Sequence, residues 1–235
     1  MQVDLYELLA GNPYPGRGIV LGLLPDGQNA LLAYFIMGRS KNSRNRIFSR
    51  TADGIETQAA DPSNVQDSSL ILYSPVRHLS QYTIVSNGNQ TDTIHAALQG
   101  GGSFEDALRT RSFEPDAPHF TPRISALLQR DHSFSGKLSI LKSEGAGQSV
   151  RRYFWEYPQL LPGNGFFIHT YAAPENPLPS FEGEPRELLL PDNAQAFAEG
   201  LWQALDHENK ISLFVESISL NGDKNSILLN KYTAK

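Results

Sequence analysis

The 235-residue chain has no cysteine. Disulfides, a thiolate nucleophile and a cysteine-ligated zinc site are therefore excluded. A cysteine-free chain fits the reducing cytoplasm, and a cytoplasmic protein is the expectation. Positive charge is also scarce: 20 Lys and Arg stand against 25 Asp and Glu, for a net charge of −5. Such a balance gives no electrostatic footprint for nucleic acid, although a local basic pocket remains compatible with it. Long apolar runs are missing. The longest candidate, Ala30 to Met37, is strand-sized, well short of the roughly 18 residues that span a bilayer. The segment Met1 to Glu7 carries acids and no basic stretch before an apolar core, so it does not read as a signal peptide. No membrane association is expected. The six histidines show no HExxH spacing, and there is no GxSxG motif, P-loop or GxGxxG after a strand. Gly100-Gly101-Gly102 is a triplet, not a nucleotide fingerprint.

About 40% of the residues are apolar, an ordinary share for a globular protein. A chain of this length buries about 70% of its unfolded surface and needs no covalent staple. No repeat or clean linker divides it, so one domain over residues 1–235 is expected. A short helix is predicted near Leu5 to Leu9. Strands are predicted at Gly18–Leu24, Ala30–Met37, Arg46–Arg50, Gly54–Gln58, Leu70–Tyr73, Tyr82–Val85, Arg123–Leu128, Lys137–Leu141, Arg151–Tyr157, Phe166–Tyr171, Ile211–Ile218 and Ile227–Leu229. Gly38 to Arg46 reads as a loop. Thr91 or Asp92 can cap a helix to about Leu98. Ser103 and Asp106 fit a capping box for a helix to about Thr110. Phe197, Leu201 and Leu205 recur at helical spacing within Asn193–His207. Residues 173–185 are rich in Pro and Glu and read as an excursion or lid. Helices segregated from many strands argue for α+β.

Four stretches concentrate chemistry. Arg39-Ser40-Lys41-Asn42-Ser43-Arg44-Asn45-Arg46 holds four cations and no acid. Its bland reading is a solvated turn; its functional one is a phosphate cradle, because Arg offers paired donors to phosphate oxygens. Val85-Ser86-Asn87-Gly88-Asn89-Gln90-Thr91-Asp92-Thr93-Ile94 packs hydrogen-bonding side chains between a strand and a helix. Asn87-Gly88 alone is a hairpin signal and Asp92 alone a helix cap, yet neither explains that density. Glu114, Asp116 and His119 near one turn could supply acid–base chemistry or form an exposed acidic loop. Thr121-Pro122-Arg123 is either part of a site or the start of a strand. Tyr153, Trp155 and Tyr157 read as one face of a strand.

The segment Arg39-Ser40 through Asn45-Arg46, the Val85–Ile94 run and Glu114 through Thr121-Pro122-Arg123-Ile124 together resemble the archaeal-type inosine monophosphate (IMP) cyclohydrolases. Tyr73 stands where that family carries a tyrosine before the Val85–Ile94 strand. Order and spacing agree over about residues 17 to 130, and more weakly at His169-Thr170-Tyr171. The resemblance implies an α+β fold, a four-layer α-β-β-α sandwich like that of the N-terminal-nucleophile hydrolases. Met1-Gln2-Val3 offers no Cys, Ser or Thr nucleophile, so no self-processing is implied. The implied reaction is ring closure of 5-formamidoimidazole-4-carboxamide ribotide to IMP with loss of water, without cofactor or metal. A homo-oligomer is implied, with the small purine ribotide as partner. Carried onto this chain, the resemblance makes Tyr73, Glu114 and Arg46 catalytic. Arg39 and Asn45 would assist Arg46 at a phosphate or oxygen, Asn87, Asp92 and Thr93 would shape the base pocket, and Arg123 would balance Glu114 or bind substrate. A nucleotide-binding or regulatory protein without turnover is the alternative. A different amide hydrolase is disfavoured by the missing nucleophile.

Overall fold

The computed structural model describes residues 2–64 and 72–234. Its strands form two antiparallel sheets, accompanied by few helices, as expected for α+β. In the first sheet, β1 (Arg17–Leu23) and β2 (Asn29–Met37) form a hairpin. The Asp26 carboxylate closes its turn by accepting from the amides of Gln28 and Asn29. On one side β10 (Asn164–His169) and β11 (Arg186–Leu189) extend the sheet; on the other β12 (Lys210–Ser219) and β13 (Lys224–Asn230) do so. The second sheet runs in chain order: β3 (Ile47–Thr51), β4 (Gly54–Gln58), β5 (Val76–Leu79), β6 (Tyr82–Ser86), β7 (Arg123–Arg130), β8 (Phe134–Glu144) and β9 (Ser149–Tyr157).

Alternation along the strands sorts their side chains. Ile19, Leu21, Leu32, Ile36 and Phe214 of the first sheet share one apolar core with Phe48, Val85, Ile124 and Leu138 of the second. The intervening residues Val20, Leu31, Phe35 and Leu213 turn the other way. They pack on Leu5 and Leu9 of α1 (Leu5–Gly11) and on Phe197, Ala198 and Leu201 of α5 (Ala194–Ala204). Ile84, Leu127 and Leu141 of the second sheet likewise pack on Ile94 of α3 (Gln90–Gln99) and on Phe104 and Leu108 of α4 (Phe104–Arg109). No helix among the described residues is long and apolar enough to cross a membrane.

The structure departs from the sequence reading in several places. The basic loop contains a one-turn helix, α2 (Lys41–Arg44), stabilised by a capping box between Ser40 and Ser43. Helix α3 is not capped by Thr91 or Asp92. It begins at Gln90, because the hydroxyls of Ser86 and Thr91 both donate to the Gly88 carbonyl and fold the turn earlier. Strands β5 and β11 were not expected. The polar residues Arg77 and His78 mask the β5 pattern; Arg77 pairs with Asp53 and Asp92, and His78 faces Glu216. Of the strand expected at Leu70–Tyr73, Leu70 and Ile71 lie outside the described residues. Tyr73 is in no strand, but its carbonyl accepts from the Thr57 amide and its amide donates to the Thr57 hydroxyl. The excursion at 173–185 buries Leu178 and Phe181, and the Leu178 amide donates to His119 Nδ1.

Candidate active site

Three arginines are buried near the end of the sandwich where β1 and β7 begin and β2 and β6 finish. Arg17 opens β1 in phase with Ile19 and Leu21, so strand alternation directs it to the space between the sheets. Gly16 precedes it at φ +82°, with its Cα packed on Thr170 and Tyr171; an added Cβ would lie 2.2 Å from Thr170 Oγ1. Arg46 lies immediately before β3 and is wholly buried. Its Nε donates to the Ser43 carbonyl at 2.8 Å and its Nη2 to the Met37 carbonyl at 3.1 Å. The capped turn of α2 thus supplies one of the acceptors that hold it. Arg123 opens β7, and its Nη1 donates to Gln90 Oε1 at 2.5 Å and Asn89 Oδ1 at 3.1 Å. A Cβ at Gly88 would lie 2.3 Å from that same nitrogen, so only glycine leaves Arg123 its place.

Opposite these cations is one fully buried carboxylate, Glu114, whose backbone amide is tied to the Thr121 carbonyl. Burial raises its pKa, while Arg17, Arg123 and Arg46 act to lower it; the outcome is raised. Burial also opposes charge on Arg17, but the Glu114 carboxylate offsets it and holds the guanidinium charged. Arg46 and Arg123 are pulled down chiefly by burial. Two donors in this cluster, Arg17 Nε and Arg46 Nη1, are buried without a hydrogen-bond partner among the described residues. A buried charged donor left unpaired is costly, and an anion or polar ligand would relieve it. The Tyr34 and Tyr73 hydroxyls meet at 2.7 Å beside the arginines. Burial raises both phenol pKa values, which keeps both phenols protonated at neutral pH and able to donate.

The residues singled out in the sequence fall into three groups. Arg46, Tyr73, Glu114 and Arg123 converge. Asn87 is buried next to them: its Oδ1 accepts from the Ile124 amide and Gln90 Nε2, and its Nδ2 donates to the Pro122 carbonyl. It therefore locks the start of β7, which carries Arg123. Arg39 is at the rim, over the Tyr14 ring at 4.6 Å and donating to the Pro174 carbonyl. Asn45 spends its amide on the backbone of Asp61. Asp92 is exposed and paired with Arg77, and Thr93 is half-buried one position further along α3. Arg17, Tyr34 and Tyr171 were missed. For Arg17 the available signal was a cation one step before an apolar strand and in phase with its buried residues. Tyr34 carried no signal within a run of apolar neighbours.

The family model for IMP cyclohydrolase-like proteins matches residues 14–224 of the chain. The chain belongs to this family. Its similarity to individual members is moderate. It is 26% identical over 180 residues to the IMP cyclohydrolase of Methanopyrus kandleri, covering 72% of this chain and 89% of that protein. It is 30% identical over 167 residues to the IMP cyclohydrolase of Methanococcus maripaludis strain S2, covering 68% and 75%. For the Methanosphaera stadtmanae IMP cyclohydrolase the identity is 26% over 162 residues, covering 67% and 73%. The family match begins at Tyr14 and takes in Arg17, Tyr34, Arg46, Tyr73, Glu114 and Arg123, so every member of the buried cluster lies inside it.

Proposed function

We infer that this protein is an IMP cyclohydrolase, closing 5-formamidoimidazole-4-carboxamide ribotide to IMP with release of water. The observation that carries the reading is the buried group of three guanidiniums facing one carboxylate and a pair of phenols, inside the region that defines the family. The reaction joins two groups already on one molecule. The enzyme must orient them, stabilise negative charge on the formyl oxygen and move protons from nitrogen to that oxygen.

Each demand has a group to meet it. The carboxamide nitrogen attacks the formyl carbon while the Glu114 carboxylate accepts a proton from that nitrogen. Its raised pKa makes it a stronger base than an ordinary glutamate, although the nearby arginines still favour the ionised form. Charge gathering on the formyl oxygen is met by the unpaired donors of Arg17 and Arg46. Tyr73, neutral and supported by Tyr34, donates to the same oxygen and is reprotonated by Glu114; the formamide N–H gives up the second proton, also by way of Glu114, and the C–O bond breaks to release water. Arg123 balances Glu114 and contacts the ribotide. Arg39 at the rim, beside Tyr14, is placed for the phosphate end. Asn87 positions Arg123, while Asn45 is engaged with the Asp61 backbone and Asp92 with Arg77. The same reading takes the whole chain as one domain and its two sheets with their flanking helices as the α-β-β-α arrangement of the N-terminal-nucleophile hydrolases.

The test is ultraviolet monitoring of purified protein with the formamido ribotide. The wild type is expected to form IMP well above the uncatalysed rate. Glu114→Gln should lower kcat roughly 10²- to 10⁴-fold while KM changes little, the range expected for loss of a general base. Wild-type protein that binds IMP but turns over no ribotide would instead indicate a nucleotide-binding protein.

A further inference from the structure

Beside the cluster runs a chain of hydroxyls that the mechanism above does not use. Tyr171 is buried, acts electrostatically on Arg17 and is stacked on Tyr14, with ring centroids 5.8 Å apart. Its hydroxyl lies 2.5 Å from Thr121 Oγ1. The Thr121 hydroxyl in turn donates to Asp116 Oδ2, and the Thr121 amide donates to Asp116 Oδ1 at 2.6 Å. Asp116 is half-exposed, whereas Thr121 is wholly buried.

The direction of this chain is fixed by its anchor. An ionised carboxylate only accepts, so Thr121 must give its single proton to Asp116. Thr121 Oγ1 is then an acceptor, and the Tyr171 hydroxyl proton must point to it. The lone pairs of Tyr171 are left free for another donor, and Arg17 is near enough to act on the phenol electrostatically. We propose that Asp116 and Thr121 are positioning residues that hold Tyr171 as an obligate hydrogen-bond acceptor, and that this acceptor receives an N–H of the ribotide carboxamide and orients that group for attack. The inference rests on the cyclohydrolase reading and adds to it a means of choosing the rotamer of the nucleophile. A carboxamide presents both a carbonyl oxygen and an amine. An acceptor at Tyr171, set against the donors of Arg17, selects the orientation in which the amine lies on the Tyr171 side.

Polarity is the property to test, and one substitution reverses it. In Asp116→Asn the side-chain oxygen can still accept from the Thr121 amide, so the loop keeps its anchor. The new amide donates to Thr121 Oγ1, which then donates to Tyr171, whose own proton turns towards the pocket. Asp116→Asn is expected to lower kcat by roughly 10-fold or more with KM within about threefold, as for loss of an orienting contact. In a Tyr171→Phe background the same substitution should have almost no further effect, because there is no hydroxyl left to reverse. Thr121→Val should cut the chain and lower kcat, and Thr121→Ser should restore it. A loss from Asp116→Asn that is as large in Tyr171→Phe as in the wild type, or no loss at all, overturns the proposal.

A second readout needs no turnover. Burial pushes the Tyr171 phenol up to about 12, against the lowering effects of Arg17 and of the hydrogen bond with Thr121. Loss of the Asp116 charge lowers the phenol by itself, so polarity is read through Thr121: the phenol signal absent from Tyr171→Phe should titrate lower in Asp116→Asn than in Asp116→Asn with Thr121→Val, where no donor reaches the phenolate. Equal titration in those two variants overturns the chain polarity. A wild type without ribotide turnover overturns the activity instead, whatever the phenol does.

Discussion

At the scale of single residues, the site depends on a balance between burial and charge. Glu114 is pushed up by burial and held down by Arg17 first among the arginines. Arg17→Met keeps the length and removes the charge. Glu114 should then titrate higher still, and the acid limb of the kcat/KM profile should move to higher pH, because the base is lost sooner as pH falls. The drop in kcat/KM should be roughly 10²- to 10³-fold, the scale of one lost oxyanion donor. A pH–rate series on both proteins checks this, and an acid limb at the same pH in each would remove Arg17 from the environment of Glu114. Part of this site was legible beforehand. Arg46, Glu114 and Arg123 are charges bordering apolar or proline-rich segments, where chemistry is sought. Arg17 and Tyr34 sit in strand phases that read as core, and Tyr171 gains its role only through a contact with Thr121, 50 positions away.

At the scale of elements, short polar segments aim the long side chains. The Ser86–Gln90 turn is stabilised by hydroxyl and amide side chains, and it ends with Gln90 holding Arg123. This explains the polar density of that segment better than either a hairpin or a helix cap does. Gly88→Ala should push Arg123 aside and lower kcat/KM more than it lowers the melting temperature. A large loss of stability at unchanged activity in the surviving fold would contradict this. Helix α5 gives the opposite contrast. Asn193 caps it by accepting from the Ala196 amide at 2.9 Å, and it is exposed and contributes nothing to the buried cluster. Asn193→Ala should cost about 1 kcal/mol of stability and leave turnover unchanged, as measured by denaturant unfolding beside the ribotide assay. The Ser103 cap was readable because it is local. Strand β5 was not, since the partners that satisfy Arg77 and His78 come from elsewhere in the chain.

At the scale of the whole molecule, two sheets share one core and meet the buried site at one end of their strands. The α+β class followed from strand spacing, but strand order did not, because pairings such as β2 with β12 join segments more than 170 residues apart. His169 gives this architecture a pH dependence. Its ring lies between Phe167 and Phe181, and burial pushes its pKa down to about 4. The unfolded chain would protonate it near 6.5, so between about 6.5 and 4 the unfolded state binds the extra proton and stability falls with pH. The full loss below that window is roughly 3 kcal/mol. Unfolding at pH 7 and pH 4.5 should show a steeper decline in the wild type than in His169→Phe, and equal declines would contradict the assignment.

The central claim is that the buried arginines, Glu114 and Tyr73 form one cyclohydrolase site. The most direct measurement is the rate of IMP formation from the formamido ribotide by wild-type protein and by folded Glu114→Gln. Rapid closure by the wild type, with kcat collapsed and KM nearly kept in the variant, is the expected result. Equal kcat in the two proteins, or no closure by the wild type, would contradict it.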